Sequence, residues 1–215
     1  MNLFKVLSSE EYLKAALKDQ VINVQHDYRY MKKGYYVSVH AEALGNTVIP
    51  TSTNIIDAYN NATLMVRAKK MGIPVAAHTV TDKVNKIVKR LRFPLVLFPV
   101  NPVSYDIFRT VRSREELAEA MRSLGMNFRY PVSAQALTGD IQAVKSIFGS
   151  VKVTAAESLA KSCYEEFALP ICKLYVQRTR KKCLLSGMAP LRRNDLKPSD
   201  LQVVAEKIEE MRGRF

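Results

Sequence analysis

Apolar residues recur along the chain at helical or at strand spacing, and the punctuation between the runs is sharp. Ser8 and Glu11 have capping-box spacing ahead of Leu13, Ala16 and Leu17, which predicts a first helix. Val21-Ile22-Asn23-Val24 reads as a short buried strand, followed by a polar, aromatic loop over residues 25–30. In 34–45, Val37, Val39 and Ala41 alternate like a strand, yet Ala41-Glu42-Ala43-Leu44-Gly45 ends like a helix with a C-terminal glycine. The helix is favoured, because Asn46-Thr47-Val48-Ile49-Pro50 then supplies the second strand of a βαβ unit.

One helix is expected from Ile55 to Gly72, and a short strand at Ile73-Pro74-Val75. From Thr81 a helix shows Val84, Ile87, Val88 and Leu91 on one stripe, with Lys83, Lys86, Lys89 and Arg90 elsewhere. Residues 93–100, bracketed by prolines, form a buried strand. Ser113 and Glu116 make a second capping box and Thr154 and Glu157 a third. Residues 131–137 and 141–148 look like strands paired around Thr138-Gly139-Asp140. Ile171–Gln177 and Cys183–Met188 read as a hairpin, and Ser199 opens a last helix with Leu201, Val204, Ala205, Ile208 and Met211 inward. Alternating strands and helices predict an α/β (α+β) fold: a βαβ-type N-terminal unit, a middle lobe and a C-terminal hairpin–helix.

Composition changes this picture in one respect. The hydrophobic fraction of 47% is ordinary, but 33 Lys+Arg stand against 20 Asp+Glu, a formal charge of +13. Such a surface draws anions, and RNA or another polyanion is a natural partner class. The best apolar run, Phe93–Val103, falls short of the ~18–20 residues of a membrane span and holds three prolines. With no secretory-signal pattern at the start, the reading is a cytoplasmic protein with no membrane partner. Cys163, Cys172 and Cys183 lack close pairing and are expected as free, buried thiols. His26, His40 and His78 are scattered, and no metal site is expected from their spacing.

Two clusters are candidate binding sites. His26, Asp27, Tyr28, Arg29 and Tyr30, extended by Lys32 and Lys33, follow a strand end, where α/β sheets gather ligands. Arg29 could fork onto a carboxylate or phosphate, and Tyr28 and Tyr30 could stack on a ring; the alternative is a loop whose tyrosines pack inward. Arg178, Arg180, Lys181 and Lys182 occupy a hairpin tip, with Arg192 and Arg193 soon after. Together they could form one face for an anion or nucleic acid, with Tyr175 stacking; a charged tip is also ordinary protection of a sheet edge. No nucleophile elbow, P-loop or HExxH occurs, and no catalytic residue is assigned.

The middle of the chain, from Ala68-Lys69-Lys70-Met71-Gly72-Ile73-Pro74-Val75 through Phe93–Pro99 to Phe108–Leu117, resembles the first lobe of ATP-grasp proteins. That resemblance implies a strand lysine aimed at nucleotide phosphates, and Phe98 stands in its place. It implies a glycine-rich phosphate loop, here Asn101-Pro102-Val103-Ser104-Tyr105-Asp106, and a glutamate near the adenine, here the strand Ser133-Ala134-Gln135-Ala136. The two ends resemble the RimK-like ATP-grasp N-terminal domain. The first block runs through Tyr28-Arg29-Tyr30, Gly34–Ser38, Ala41–Gly45 and Val48-Ile49-Pro50. The second runs through Phe148-Gly149, Tyr164–Pro170, Ala189-Pro190-Leu191, Asp195-Leu196 and Pro198-Ser199. The expected division is a RimK-like N-terminal-type module from 1–50 with 140–215, and an ATP-grasp-like small lobe from 51–139. The resemblance implies a non-catalytic or partner-dependent accessory of a carboxylate–amine ligase system, with a ligase as partner. A basic RNA- or ribosome-associated module is the first alternative. An ATP- and Mg-binding ligase fragment using Lys69, Lys70 or Arg109 is the second.

Overall fold

The computed structural model describes residues 5–100, 108–179 and 182–212. In chain order the elements are α1 (Ser9–Leu13), β1 (Val21–Ile22), α2 (Lys33–Ala43), β2 (Val48–Ile49), α3 (Ser52–Tyr59), α4 (Asn61–Lys70) and β3 (His78–Thr81). Then come α5 (Val84–Arg90), β4 (Leu95–Pro99), β5 (Arg109–Val111), α6 (Arg114–Leu124), β6 (Val132–Ala136) and β7 (Asp140–Ile147). The chain closes with α7 (Glu157–Phe167), β8 (Ile171–Arg178), β9 (Cys183–Ala189) and α8 (Pro198–Arg212). The mixed α/β architecture is as expected.

Among the described residues the strands form three sheets. β1 and β2 pair in parallel across α2, the expected βαβ unit. The capping box at α1 forms both of its bonds: the Ser8 Oγ accepts from the Glu11 amide and the Glu11 carboxylate from the Ser8 amide. A four-stranded antiparallel sheet runs β3-β6-β4-β5. One of its faces packs Leu95, Leu97, Val111, Val132 and Ala134 against Ile87 of α5 and Leu117 and Met121 of α6. The third sheet, β7-β8-β9, is the expected hairpin with β7 added. One face of it buries Leu174, Val176 and Leu185 against Leu64, Met65 and Ala68 of α4 and Cys163 and Phe167 of α7.

Six local expectations are corrected. Leu201 and Ala205 of α8, expected inward, are exposed, and the helix turns Val203, Val204, Ile208 and Met211 to the core instead. The single helix over 55–72 is two helices, because Asn60 leaves helical geometry at φ −89°, ψ 107° and its Oδ1 accepts from the Ala62 and Thr63 amides. Residues 73–75 make a single bridge from Val75 to Leu185, not a strand. His78–Thr81 is a strand, so the next helix starts at Val84 and not at Thr81. β6 and β7 do not pair: the first lies between β3 and β4, the second beside β8. The chain crosses between the sheets at Gly139, where a Cβ would stand 2.2 Å from the Arg178 carbonyl oxygen. The third capping box does not form. A 3-10 turn over Thr154–Ala156 intervenes, and neither it nor α7 has a side-chain cap, because the capping positions fall on Val153 and Ala156, whose side chains carry no acceptor.

Helix α8 is fastened to β7 by Lys145, which donates to the Asp195 carbonyl and the Asp200 carboxylate. Lys145 and the Lys197 amide together hold the Asp200 pKa below the ordinary carboxylate value. A depressed folded-state pKa contributes stability above the unfolded pKa, roughly 4, and loses it as pH falls through the folded value. Asp200→Asn is therefore expected to be less stable than the parent above about pH 5, with the gap closing below about pH 4. Urea midpoints across pH 3–7 check this; a gap constant over that range counts against it.

Candidate functional site

The place where the ATP-grasp resemblance implies a nucleotide lies between the four-stranded and three-stranded sheets. Alternation along β4 sends Val96 and Phe98 to the face opposite α5 and α6, toward β8 and β9. There the Phe98 ring, 4% exposed, lies 5.6 Å from the Phe108 ring and 5.8 Å from the Tyr175 ring. Phe108 and Tyr175 meet edge-on at 5.4 Å, completing a three-ring cluster. Gly187 of β9 closes the far side: a Cβ there would stand 3.0 Å from Phe98 Cε1. Tyr175, expected as a stacking residue for nucleic acid, is instead a buried member of this plug.

Beside the rings runs a seam of buried polar side chains. Gln135 Nε2 donates to the Ser186 carbonyl at 2.7 Å and to Asn61 Oδ1 at 3.2 Å. Asn61 Nδ2 donates to the same carbonyl at 2.9 Å. Gln177 Nε2 donates to Ser186 Oγ, and its Oε1 accepts from the Thr138 amide and hydroxyl. Asn61, Gln135, Gln177 and Ser186 are all buried, so both sheets and the start of α4 are hydrogen-bonded together out of water. Ser133 Oγ and Gln135 Oε1 have no hydrogen-bond partner among the described residues. Sequence reasoning missed this seam because its members carry no motif.

These described side chains do not fit a nucleotide here. Phosphate charge calls for a cation or converging amides. Phe98 supplies neither and is enclosed by rings, while the Gln135 amide is engaged by its neighbours. The segment 101–106, expected to replace a glycine-rich loop, lies outside the described residues.

The loop after β1 divides into a buried and an exposed part. Tyr28 is fully buried and its hydroxyl donates to the Asn23 carbonyl at 2.6 Å; burial pushes the phenol well above its usual range. It has no face to offer a ring. Arg29 does not wait for a ligand: its Nε and terminal nitrogen fork onto Asp27 at 3.0 and 2.7 Å, with both residues under 10% exposed. Tyr30 is 63% exposed, touching Tyr35 edge-on, and Lys32 and Lys33 are exposed, the latter paired with Glu10. His26 accompanies the loop, its carbonyl accepting from the Leu191 amide.

Of the basic residues, Arg178 and Lys182 border one cavity at the turn end of β8 and β9, while Arg180 and Lys181 lie outside the described residues. Arg192 and Arg193 are exposed, at the 3-10 turn before α8. Cys163, Cys172 and Cys183 are buried free thiols, as expected; burial raises the first two, Cys172 to about 12. Among the described residues no group of three or more His, Cys, Asp or Glu could hold a metal, and no helix is long and apolar enough to cross a membrane.

The family model of the RimK-like ATPgrasp N-terminal domain matches residues 7–207. The chain belongs to this family. Solved ATP-grasp structures share its fold. A RimK domain protein ATP-grasp from Sphaerobacter thermophilus superposes with a TM-score of 0.58 at 13% identity, covering 74% of this chain and 69% of that one. D-alanine–D-alanine ligase from Bacillus anthracis gives 0.61 at 12% identity, over 86% and 74%. The ATP-grasp ligase PsnB, complexed with precursor peptide PsnA2 and AMPPNP, gives 0.54 at 13% identity, over 76% of this chain and 61% of PsnB. No curated protein matches the sequence. Within this family domain, then, the aromatic plug and polar seam lie between two sheets of an ATP-grasp-type fold.

Proposed function

We propose that this domain serves an ATP-grasp carboxylate–amine ligase system as a non-catalytic unit, binding a partner ligase or its substrate without turning over nucleotide itself. One observation carries the reading: Phe98 occupies the position of the expected phosphate-facing lysine and is packed against Phe108, Tyr175 and Gly187. A charged triphosphate entering there would displace three apolar rings and meet no cation in return. The association with ligases rests on the family and on neighbours named as ligases.

Thermal melting with Mg-ATP and Mg-ADP at fixed ionic strength tests it. A ligand at 100 times its dissociation constant stabilises the folded state by about 2.7 kcal/mol, roughly 5–11 °C for a chain of this size. No saturable shift is expected beyond that of matched pyrophosphate or sulfate. A saturable, nucleotide-specific shift overturns the proposal and restores the ATP-binding reading.

A further inference from the structure

The cavity beside Arg178 lies on the other face of β8 from the plug. Gln177 points to Ser186 and Thr138 in the inter-sheet seam, so its neighbour Arg178 points away, toward the α7 side. Across the sheet Asp140, Arg178 and Cys183 form one row, and Gln142 stands two residues further along the same face. The helix layer covers this face as far as Ala156 and Leu159. Beyond them the strand ends project past the 3-10 turn at Ala155, leaving a cavity of about 450 Å³. That is within the range of small-molecule sites.

Among the described residues its lining carries three charges. Arg178 and Lys182 supply two cations, and among the described residues neither forms an ion pair. The backbone around Lys182 is held by Thr179, whose hydroxyl donates to the Lys182 carbonyl at 2.8 Å and accepts from its amide at 3.0 Å. Asp140, directly opposite Arg178, adds a carboxylate to the same wall, and Gln142 an amide.

We infer that this cavity binds a small phosphorylated polyol, a sugar phosphate in chemical class. Arg178 and Lys182 match a phosphate dianion with charge-assisted hydrogen bonds. Asp140 repels a bare phosphate but accepts from sugar hydroxyls, so it favours a phosphate that carries them. Among the described residues no aromatic side chain lines the cavity, so none of them would stack on a nucleobase there. The site is independent of nucleotide binding between the sheets, and of whether the domain is catalytic.

Calorimetric titration of the full chain with ribose 5-phosphate, at low and fixed ionic strength, tests this. Saturable binding is expected, with ribose, which lacks the phosphate held by Arg178 and Lys182, and inorganic phosphate, which lacks the hydroxyls held by Asp140, each weaker by about tenfold or more. Arg178→Ala and Lys182→Ala each weaken ribose 5-phosphate by a similar factor, whereas Lys182→Arg retains it. Asp140→Asn narrows the preference over inorganic phosphate. All three side chains are exposed, so the variants should melt with the parent. Absence of saturation, binding that survives the double Arg178→Ala/Lys182→Ala change, or inorganic phosphate binding equally well would each overturn the inference. So would a single-stranded RNA oligonucleotide binding through these residues while ribose 5-phosphate does not.

Discussion

Phe98→Ala is expected to destabilise the chain by about 3–5 kcal/mol, a fall of roughly 6–20 °C in melting temperature. The ring is 4% exposed and is held between Phe108, Tyr175 and Gly187, with the polar seam alongside. Its loss removes both the buried apolar area and the ring-to-ring contacts, and the hydrogen-bonded sheets around it resist collapse into the gap. Thermal and urea denaturation measure the effect. A cost below about 1 kcal/mol would mean that the ring is not enclosed, and the plug argument would fail with it. Phe98→Lys separates packing from charge. It restores the cation that the resemblance implies, yet Gln135, Asn61 and Ser186 still join the two sheets. The variant is therefore expected to be destabilised and still to give no saturable Mg-ATP shift. If it gains one, the plug alone blocks the nucleotide and the underlying cleft is intact.

The second large effect is in the loop after β1. Asp27→Ala is expected to cost about 3–5 kcal/mol, because it strips the forked carboxylate from a buried guanidinium. Arg29 Nε and its terminal nitrogen reach Asp27 at 3.0 and 2.7 Å, and the Arg29 amide also donates to Asp27 Oδ1 at 3.1 Å. Replacing both partners, Asp27→Ala with Arg29→Met, should recover much of the loss, since no buried charge then remains. Tyr30→Ala, removing a ring that is 63% exposed, should change stability by less than about 1 kcal/mol. Urea denaturation of the parent, Asp27→Ala, Arg29→Met and the double variant closes a double-mutant cycle, and with Tyr30→Ala as a fifth chain for control it decides the matter. A cost under about 1 kcal/mol for Asp27→Ala would release Arg29 from its structural role and return it as a ligand-binding group.

The contrast between these residues shows what could be read from the chain. Tyr28, Arg29 and Tyr30 are consecutive and look alike as a binding loop. Tyr28 is core, Arg29 is locked and Tyr30 is exposed, because Tyr28 reaches back to the Asn23 carbonyl and Arg29 to Asp27. Phe98 was marked by the resemblance as a departure from a lysine, but its partners Phe108 and Tyr175 were not, since nothing local joins β4 to β8.

By itself the sequence determined the local structure: the Ser8–Glu11 cap, the βαβ unit at 21–49, the stripe of α6 and that of α5 except Val88, which is exposed, the hairpin of Ile171–Gln177 with Cys183–Met188, and the family. Those features depend on bonds and spacings within a few residues, or on runs long enough to show a period. Only the tertiary structure decided that β6 and β7 join different sheets, that the 55–72 helix breaks at Asn60, and that Asn61 meets Ser186 across 125 positions. Partners that far apart are chosen by which buried polar groups and apolar faces can be satisfied together once the layers pack, and no local periodicity records that choice.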